Sequence, residues 1–469
     1  MPFDIEIAAF LVNSSLRHYD LPRLFERYFD IPPEDAAALP LPSKAILMSQ
    51  LKDILLKELK DNNVYKLFEE VEMPLTKVLY KMEDAGIKID TKILAELSKK
   101  YNIELEKLEK EIYAMAGEEF NIGSPKQLQE ILFTKLGLTQ EKKNKTGFST
   151  DAKVLASLAN AHPIADKLLQ YRQYAKLIST YLDALPKLVS PKTGRIHTEF
   201  NQIKAATGRL SSINPNVQNI PIRTEEGRDI RKAFIAQEGY VLLSADYSQI
   251  ELRLLAHFSQ DPSLMKAFTT DGDIHAYTAS LIFHKNQSEV TSQERRMAKT
   301  VNFGVIYGMG PFRLAGDLKI TRNEAKEFID KYFETYGHVK AFMSGLEEEA
   351  MKEGFLTTVL GRRRYFAEIN SKNRVVQEAA KREAINYPLQ GSAADIIKVA
   401  MINIDQELTK RKLKSRQLLQ VHDELLIEVK REECEEVTHM VKHEMENAVK
   451  LNVPVRVDVG VGKNWLEAH

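Results

Sequence analysis

Two carboxylates follow apolar, strand-like runs at distant points of the sequence. Asp246 ends the run YVLLSAD, and Asp423 lies between two apolar runs in LLQVHDELLIEV. Carboxylates presented in this way suit hard divalent cations, which take oxygen ligands and keep waters and substrate phosphates as further ligands. Two such ions can stabilise the attacking and leaving oxygens of an in-line phosphoryl displacement. The pattern therefore predicts a paired-metal site at Asp246 and Asp423, whereas either acid alone would also suit a solvent-exposed turn or a helix cap.

A second set of residues recurs every four positions: Arg295, Lys299, Phe303 and Tyr307. On an α-helix such residues form one slanting stripe about 18 Å long. Cations at the N-terminal end suit phosphate groups, and aromatic faces at the other end suit stacking on a base. The stripe predicts a nucleoside triphosphate site; the alternative is an amphipathic helix with a basic outer face.

Composition restricts the class of protein. The chain has 469 residues, too many for one core, which predicts about two to four domains. A net charge of zero does not exclude a nucleic-acid partner, because binding needs only a local basic face.

The single cysteine, Cys434, excludes a disulfide framework and favours a reducing compartment. No apolar run approaches the roughly 18 residues that cross a bilayer, and no signal peptide is recognisable, so we expect a cytoplasmic or otherwise intracellular protein.

Several elements must position these residues. YVLLSAD is predicted to be a buried strand followed by a helix, and LLQVHDELLIEV a tight hairpin with its acids at the turn. Apolar periodicity predicts a long amphipathic helix over 91–118. Ser124 and Asp151 are predicted N-caps on either side of a lysine-rich loop, which could contact a duplex backbone. Antiparallel strand segments and long helices without regular βαβ alternation predict an α+β fold.

The chain from about Glu72 to its C terminus resembles DNA polymerase family A (the DNA polymerase I family). The block from Asp246 to Arg253, the block from Arg295 to Gly308 and the His-Asp-Glu at 422–424 are similar to the family's signature motifs. The resemblance implies a right-hand fold with an antiparallel palm sheet, helical fingers and a thumb. It predicts these ranges: 71–90 lead-in to the palm, 91–200 thumb, 201–257 palm with the first catalytic motif, 258–375 fingers, and 376–469 palm with the third motif.

The resemblance also implies roles for individual residues. It implies two Mg²⁺ ions, for which Mn²⁺ can substitute, held by Asp246, Asp423 and the backbone carbonyl of Tyr247, with Glu424 supporting the site less directly. Lys299 becomes a candidate proton donor to the leaving pyrophosphate. The implied dNTP-binding residues are Arg295, Lys299, Phe303, Tyr307, Glu251, Gln249 and His275. The implied primer–template contacts are Arg209, Gln218, Asn219, Arg382, Asn386, Gln390 and His422.

Some of these roles have open alternatives. Glu251 is expected to lie under the ribose, to exclude a 2′-hydroxyl by its bulk and to share a hydrogen bond with Tyr307. Arg382, Asn386 and Gln390 could instead serve the core or the surface, and a single histidine such as His275 could be structural.

The leading hypothesis is a monomeric, template-directed DNA polymerase that adds dNTPs to a primer 3′-hydroxyl and releases pyrophosphate. A single-subunit RNA polymerase is the first alternative, and a bulky acid at Glu251 argues against it. A catalytically inactive DNA clamp is the second, and the presence of Asp246 and Asp423 argues against it.

Residues 1–70 resemble the end of the family's 3′–5′ exonuclease domain, but they depart from its pattern. The family's proofreading site needs four carboxylates, of which the first would lie upstream of Met1. The last belongs to a Tyr-x3-Asp helix that would fall near residues 39–43, where the sequence LPLPS has neither Tyr nor Asp. We therefore expect a remnant domain without proofreading.

Overall fold

The first five helices pack together at the N-terminal side of the molecule. The computed structural model describes residues 3–138, 143–144, 147–159, 161–222, 224–269 and 272–469. Helices α1 to α5 span Ile5–Val12, Leu21–Phe29, Pro33–Ala38, Leu41–Asp61 and Tyr65–Leu67. Proline lies in the first turn of α2, α3 and α4, where no intrahelical amide bond is lost.

The range predicted as thumb is helical and follows a short strand. A π-helical turn, Phe68–Glu72, leads into α6 (Met73–Ala85) and β1 (Ile87–Ile89). The next elements are α7 (Thr91–Ala116), α8 (Pro125–Gln129), β2 (Lys143–Asn144), β3 (Gly147–Phe148), α9 (Ala152–Leu158) and α10 (Ile164–Leu177), with π-helical turns at Glu130–Lys135 and Ile178–Leu182. The long helix and the N-caps Ser124 and Asp151 are confirmed, since both side chains accept amide hydrogen bonds. Lys142 and Lys145 of the lysine-rich loop lie outside the described residues.

Short antiparallel pairings precede the strand that carries Asp246. In chain order these elements are β4 (Arg195–Ile196), β5 (Glu199–Asn201), β6 (Ser211–Ile213), α11 (Glu225–Arg231), β7 (Phe234–Ile235) and β8 (Tyr240–Tyr247). Strands β4, β1 and β7 form one sheet in that order, and β5 pairs with β6. 3₁₀ turns lie at Leu185–Leu188 and Val217–Asn219.

The middle of the chain is helical, as predicted. It contains α12 (Ile250–Ser259), α13 (Pro262–Thr269), α14 (Ile274–Phe283), α15 (Ser292–Ile306), α16 (Pro311–Leu318), α17 (Arg322–Thr335) and α18 (Gly337–Glu353). A hairpin of β9 (Phe355–Thr357) and β10 (Arg363–Tyr365) follows. Thr291 and Glu294 form a capping box that fixes the start of α15.

A four-stranded antiparallel sheet forms the floor of the candidate site. The last elements are α19 (Arg374–Lys410), β11 (Arg416–Val421), β12 (Glu424–Lys430), α20 (Cys434–Glu446), β13 (Val457–Gly462) and α21 (Trp465–Ala468), with 3₁₀ turns at Gln287–Glu289 and Arg431–Glu433. The sheet order is β11-β12-β8-β13, with β12 and β13 each antiparallel to β8. The predicted hairpin is confirmed, because β11 pairs with β12 across the turn at His422 and Asp423. Across the described ranges, no helix combines the length and apolarity that a bilayer crossing requires.

Candidate active site

Asp246 and Asp423 lie together at one end of the central sheet. Asp246 is near the end of β8, and the amide of the next residue, Tyr247, donates to the Asp423 carbonyl oxygen at 3.2 Å. Burial raises the pKa of Asp246 to about 7, and the Glu424 and Asp423 carboxylates raise it as well. Burial also raises the pKa of Asp423, against the influence of Arg209. The structure therefore concentrates negative charge where the sequence predicts a metal site.

Glu424 lies beside this pair but is turned into the protein. It is opposite Asp246 in the β8–β12 register. Its Oε1 accepts hydrogen bonds from Ser244 Oγ and Trp465 Nε1, both at 2.7 Å. Burial alone would raise the pKa of Glu424, but hydrogen bonds from His469, Ser244 and Trp465 lower it on balance. An indirect role for Glu424 fits these contacts.

Three residues around Glu424 have no counterpart in the sequence-based prediction. Arg231 Nη1 lies 3.6 Å from Glu424 Oε2, and its guanidinium lies 4.0 Å from the ring centroid of Trp465. His469 Nδ1 lies 3.6 Å from Glu424 Oε1. No local pattern marks these residues, because their partner lies far away in the sequence.

Glu251 connects the acidic pair to the predicted nucleotide helix. It lies in the first turn of α12, soon after β8, and is only 6% exposed. Tyr307 Oη donates to Glu251 Oε2 at 3.0 Å, and Arg209 Nη2 donates to Oε1 at 2.9 Å. Burial and the Glu251 carboxylate raise the pKa of Tyr307 to about 12, so this hydroxyl stays protonated and donates. The expected hydrogen bond between Glu251 and Tyr307 is therefore present.

The predicted stripe on α15 is shorter than a continuous helix would give. Arg295, Lys299 and Phe303 lie within α15, whereas Tyr307 follows its last residue, Ile306. The helix ends there because Gly308 has a left-handed φ of +60°, which favours glycine. The expectation that all four residues share one helix is wrong at this last position.

The two cations of the stripe differ in their partners. Arg295 Nε lies 2.5 Å from the Asp273 carboxylate. The Lys299 side chain is exposed and makes no hydrogen bond or ion pair with any described residue. Lys299 is therefore more available than Arg295 to bind a phosphate group.

His275, the predicted phosphate contact, is buried against α15. Asn302 Nδ2 lies 3.0 Å from His275 Nδ1, and the Phe303 ring centroid lies 5.6 Å from that of the imidazole. Burial lowers the pKa of His275 to about 4, and Lys299 and Arg295 lower it as well, although Asp273 opposes them. With Nδ1 accepting from Asn302, a neutral imidazole keeps its proton on Nε2.

The predicted minor-groove residues line one wide groove beside Tyr307. This groove has a volume of about 780 Å³ and is lined in part by Tyr307, Arg382, Asn386 and Gln390. Asn386 Nδ2 donates to the Ile306 carbonyl oxygen at 3.5 Å, which joins α19 to the end of α15. The structure thus places these three residues of α19 on a solvent-accessible surface and not in the core.

The remaining predicted residues surround the β11–β12 turn or the start of α12. Gln218 Nε2 donates to the Gln420 carbonyl oxygen at 3.1 Å, while the neighbouring Asn219 is exposed. His422 forms the exposed turn with a left-handed φ of +56°. Gln249 has a φ of +54° and a buried Oε1 for which no described residue is a hydrogen-bond partner.

A buried charge cluster behind the site was also missed. We define it as Glu72, Arg362, Asp395 and Lys398, each at most 1% exposed. Lys398 Nζ donates to Glu72 Oε1 at 2.7 Å, and Arg362 Nε donates to Asp395 Oδ1 at 2.8 Å. Arg362 also pairs with Glu72. Burial raises the pKa of Glu72, but Lys398 and Arg362 outweigh it and lower the value to about 2.

Comparison with known proteins gives a consistent result. The model of DNA polymerase family A matches residues 91–467. DNA polymerase I of Bacillus subtilis (strain 168) is 46% identical over 99% of this chain and 55% of its own length. The thermostable DNA polymerase I of Thermus thermophilus is 48% identical over 91% of this chain and 51% of its own length. The chain therefore spans about half the length of these curated relatives.

A solved structure shares the fold. It is described as the POL domain of Pol1 from M. smegmatis in complex with DNA primer-template and dNTP. It matches with a TM-score of 0.93 at 44% identity, and the match covers 99% of this chain and 82% of that chain. The predicted α+β, right-hand polymerase fold is confirmed. The family match over most of the chain and this structural likeness show that the chain belongs to DNA polymerase family A.

Proposed function

We propose that this chain catalyses template-directed addition of dNTPs to a primer 3′-hydroxyl, with release of pyrophosphate. The observation that carries this proposal is the hydrogen bond between Tyr307 and Glu251. Through this bond Tyr307, which directly follows α15, contacts Glu251, a carboxylate five residues beyond Asp246. The acidic pair and the predicted triphosphate site therefore lie next to each other. The relatives' names, and the dNTP and primer-template in the solved structure, support the same activity.

The donor set fits Mg²⁺, with Mn²⁺ as a substitute. Within the described residues, no group of three or more His, Cys, Asp or Glu side chains is arranged to hold a metal. Two carboxylates nevertheless suit Mg²⁺, which is commonly held by one or two carboxylates plus substrate phosphates. Asp246 and Asp423 would hold the ions, with the Tyr247 carbonyl as a further ligand. When bound, the two ions would stabilise charge on the attacking and leaving oxygens.

The chain's own residues orient the nucleotide and complete the chemistry. Arg295 and Lys299 bind the phosphates, and Lys299 donates a proton to the leaving pyrophosphate. Phe303 and Tyr307 pack against the nascent base pair, and Glu251 excludes a 2′-hydroxyl. Catalysis then depends mainly on positioning and on charge stabilisation.

The predicted domains form part of this proposal. The palm comprises 71–90, 201–257 and 376–469, with the thumb at 91–200 and the fingers at 258–375. Support comes from the central sheet, which combines β8 of one palm segment with β11, β12 and β13 of another. We further propose a monomeric, intracellular enzyme whose exonuclease-like first 70 residues provide no proofreading, since residues 39–43 contain neither Tyr nor Asp.

Primer extension with Mg²⁺ tests the proposal. A labelled primer on a DNA template is incubated with dNTPs, with rNTPs and without nucleotide. We expect extension with dNTPs only and no shortening of the primer. Efficient extension with rNTPs would favour the RNA polymerase, and shortening without nucleotide would contradict the absence of proofreading.

Neutral variants test the acidic pair. Asp246→Asn and Asp423→Asn should each lower extension at least about a thousandfold, about 4 kcal/mol in the barrier, because the metal ligands lose their charge. The affinity for duplex DNA should change little, since residues other than Asp246 and Asp423 contact the phosphate backbone of the duplex. Asp317→Asn, at an exposed carboxylate on α16, is the control and should extend normally. Normal extension by either active-site variant would contradict the metal assignment.

A further inference from the structure

A second groove lies between the N-terminal helices and the β9–β10 hairpin. It has a volume of about 600 Å³. One wall contains Arg17 and His18, which follow α1, and the other contains Lys204 and Arg364. The residues that line it include no Asp or Glu.

The cations of this groove are available to a ligand. Arg17, His18 and Lys204 are exposed, and none of them makes a hydrogen bond or ion pair with another residue that the structure describes. Arg364 pairs with Glu383 and lies 5.0 Å from the Phe366 ring centroid. Two unpaired cations, Arg17 and Lys204, line one cavity together with the His18 imidazole and Tyr365. Sites for single-stranded nucleic acids combine cationic and aromatic side chains in the same way.

The walls of the groove are joined by direct hydrogen bonds. Ser14 Oγ donates to the Arg363 carbonyl oxygen at 3.3 Å, and Ser15 Oγ donates to that of Tyr365 at 3.2 Å. Arg363 Nη1 donates to Asn62 Oδ1 at 3.1 Å. The segment that carries Arg17 is therefore attached to the hairpin that carries Arg364, and the groove is formed before any ligand binds.

This groove and the one beside Tyr307 share a lining residue. Arg364 lines both cavities. A strand that passes Arg382, Asn386 and Gln390 can therefore reach Arg17 and Lys204 by way of Arg364. We propose that this second groove binds the unpaired template strand ahead of the primer end, with Arg17 and Lys204 on its phosphates. This inference rests on the proposed polymerase function.

The salt dependence of binding tests the inference. The double variant Arg17→Ala/Lys204→Ala is compared with wild type on two duplexes that differ only in the 5′ template overhang. One overhang has a single nucleotide and the other about twelve, within the range of known single-strand sites. On the long overhang, the slope of log K against log salt should become shallower by about 1.4, or about 0.7 for each lost cation. On the short overhang, slope and affinity should match those of wild type.

A matched control variant and a separate extension assay distinguish failure of this inference from failure of the proposed polymerase function. Lys326→Ala/Lys340→Ala removes two exposed cations from α17 and α18, which line neither groove, and should bind both duplexes as wild type does. Unchanged binding of the long overhang by the Arg17/Lys204 variant, or an equal loss on both duplexes, would overturn the inference. Extension of the short-overhang primer by wild type tests the polymerase function independently, because it does not need the second groove.

Discussion

Two donors hold the Glu251 side chain in place. Arg209 binds one carboxylate oxygen and Tyr307 the other, while the surrounding protein leaves little of the side chain exposed. A carboxylate fixed in this way cannot swing aside for a larger sugar without losing two hydrogen bonds. In the proposed function, the fixed volume of Glu251, and not only its charge, would therefore exclude a 2′-hydroxyl.

Shortening this side chain should relax sugar selection. Glu251→Ala removes the bulk and should lower the ratio of kcat/KM for dNTP over rNTP by about 10–200-fold, the range that small steric differences give. Glu251→Gln keeps the bulk and should retain most of the discrimination, although overall activity changes. Single-nucleotide incorporation kinetics measure both ratios. An equal loss of discrimination in the two variants would show that charge, and not volume, sets the choice.

His275 should contribute to acid sensitivity. Its pKa is about 4 in the folded protein against an ordinary value of 6.5, so between these values the unfolded chain binds the extra proton. The free energy of unfolding therefore falls as the pH decreases from 6.5 towards 4. His275→Gln removes this contribution, and its unfolding free energy should depend less steeply on pH than that of wild type. Urea unfolding at several pH values measures both slopes, and parallel curves would contradict the buried, neutral imidazole.

The buried charge cluster joins parts of the chain that lie far apart in the sequence. Glu72 ends the π-helical turn before α6, Arg362 lies between β9 and β10, and Asp395 and Lys398 belong to α19. A Cβ atom built on Gly208 would lie 2.6 Å from Arg362 Nε, so the backbone next to Arg209 packs directly on the cluster. The cluster therefore supports both Arg209 and α19, the helix that carries the predicted minor-groove residues.

Removal of one cation from this cluster should be costly. Lys398→Met leaves the cluster with an excess of buried negative charge and should lower the free energy of unfolding by about 3–5 kcal/mol. Lys81→Met is the matched control, since Lys81 pairs with Asp405 of α19 at 2.7 Å but is half exposed, and its loss should cost less than about 1 kcal/mol. Urea denaturation compares the two variants. Equal midpoints would show that the buried cluster adds no more stability than a surface pair.

Local elements could be predicted from the sequence, whereas distant contacts could not. The caps at Ser124 and Asp151 are fixed by side chains within a few residues, and the apolar runs around Asp246 and Asp423 indicate buried strands directly. By contrast, Arg231 beside Glu424 depends on a contact between distant segments that no local period encodes. The end of α15 before Tyr307 was missed because the four-residue spacing of the stripe predicts a helix that continues through Tyr307, whereas Gly308 favours a helix end at this point.

The N-terminal helices share an apolar cluster with the elements that carry the candidate site. One continuous apolar cluster includes Phe10 and Leu55 of the first helices together with Leu254 and Ile385 of the site-bearing elements. The hydrogen bonds of Ser14 and Ser15 to the β10 backbone extend the same contact at the surface. The N-terminal helices therefore support the elements that carry the candidate site and form one wall of the second groove.

A shared core predicts shared unfolding. Trp465 is the chain's only tryptophan, is fully buried and donates a hydrogen bond to Glu424 of the central sheet, so its fluorescence reports unfolding of that sheet. Leu55→Ala creates a cavity among the N-terminal helices and should cost about 2–5 kcal/mol. Leu55 and Trp465 lie in two different apolar clusters, but strands β8 and β12 contribute residues to both. Because the two clusters share these strands, the urea midpoint of Trp465 fluorescence should fall together with that of helical circular dichroism. Ile46→Ala, on the same helix but 60% exposed, should leave both midpoints within about 0.5 kcal/mol of wild type. A Trp465 midpoint unchanged by Leu55→Ala, with an early loss of helical signal, would instead show that the N-terminal helices unfold on their own.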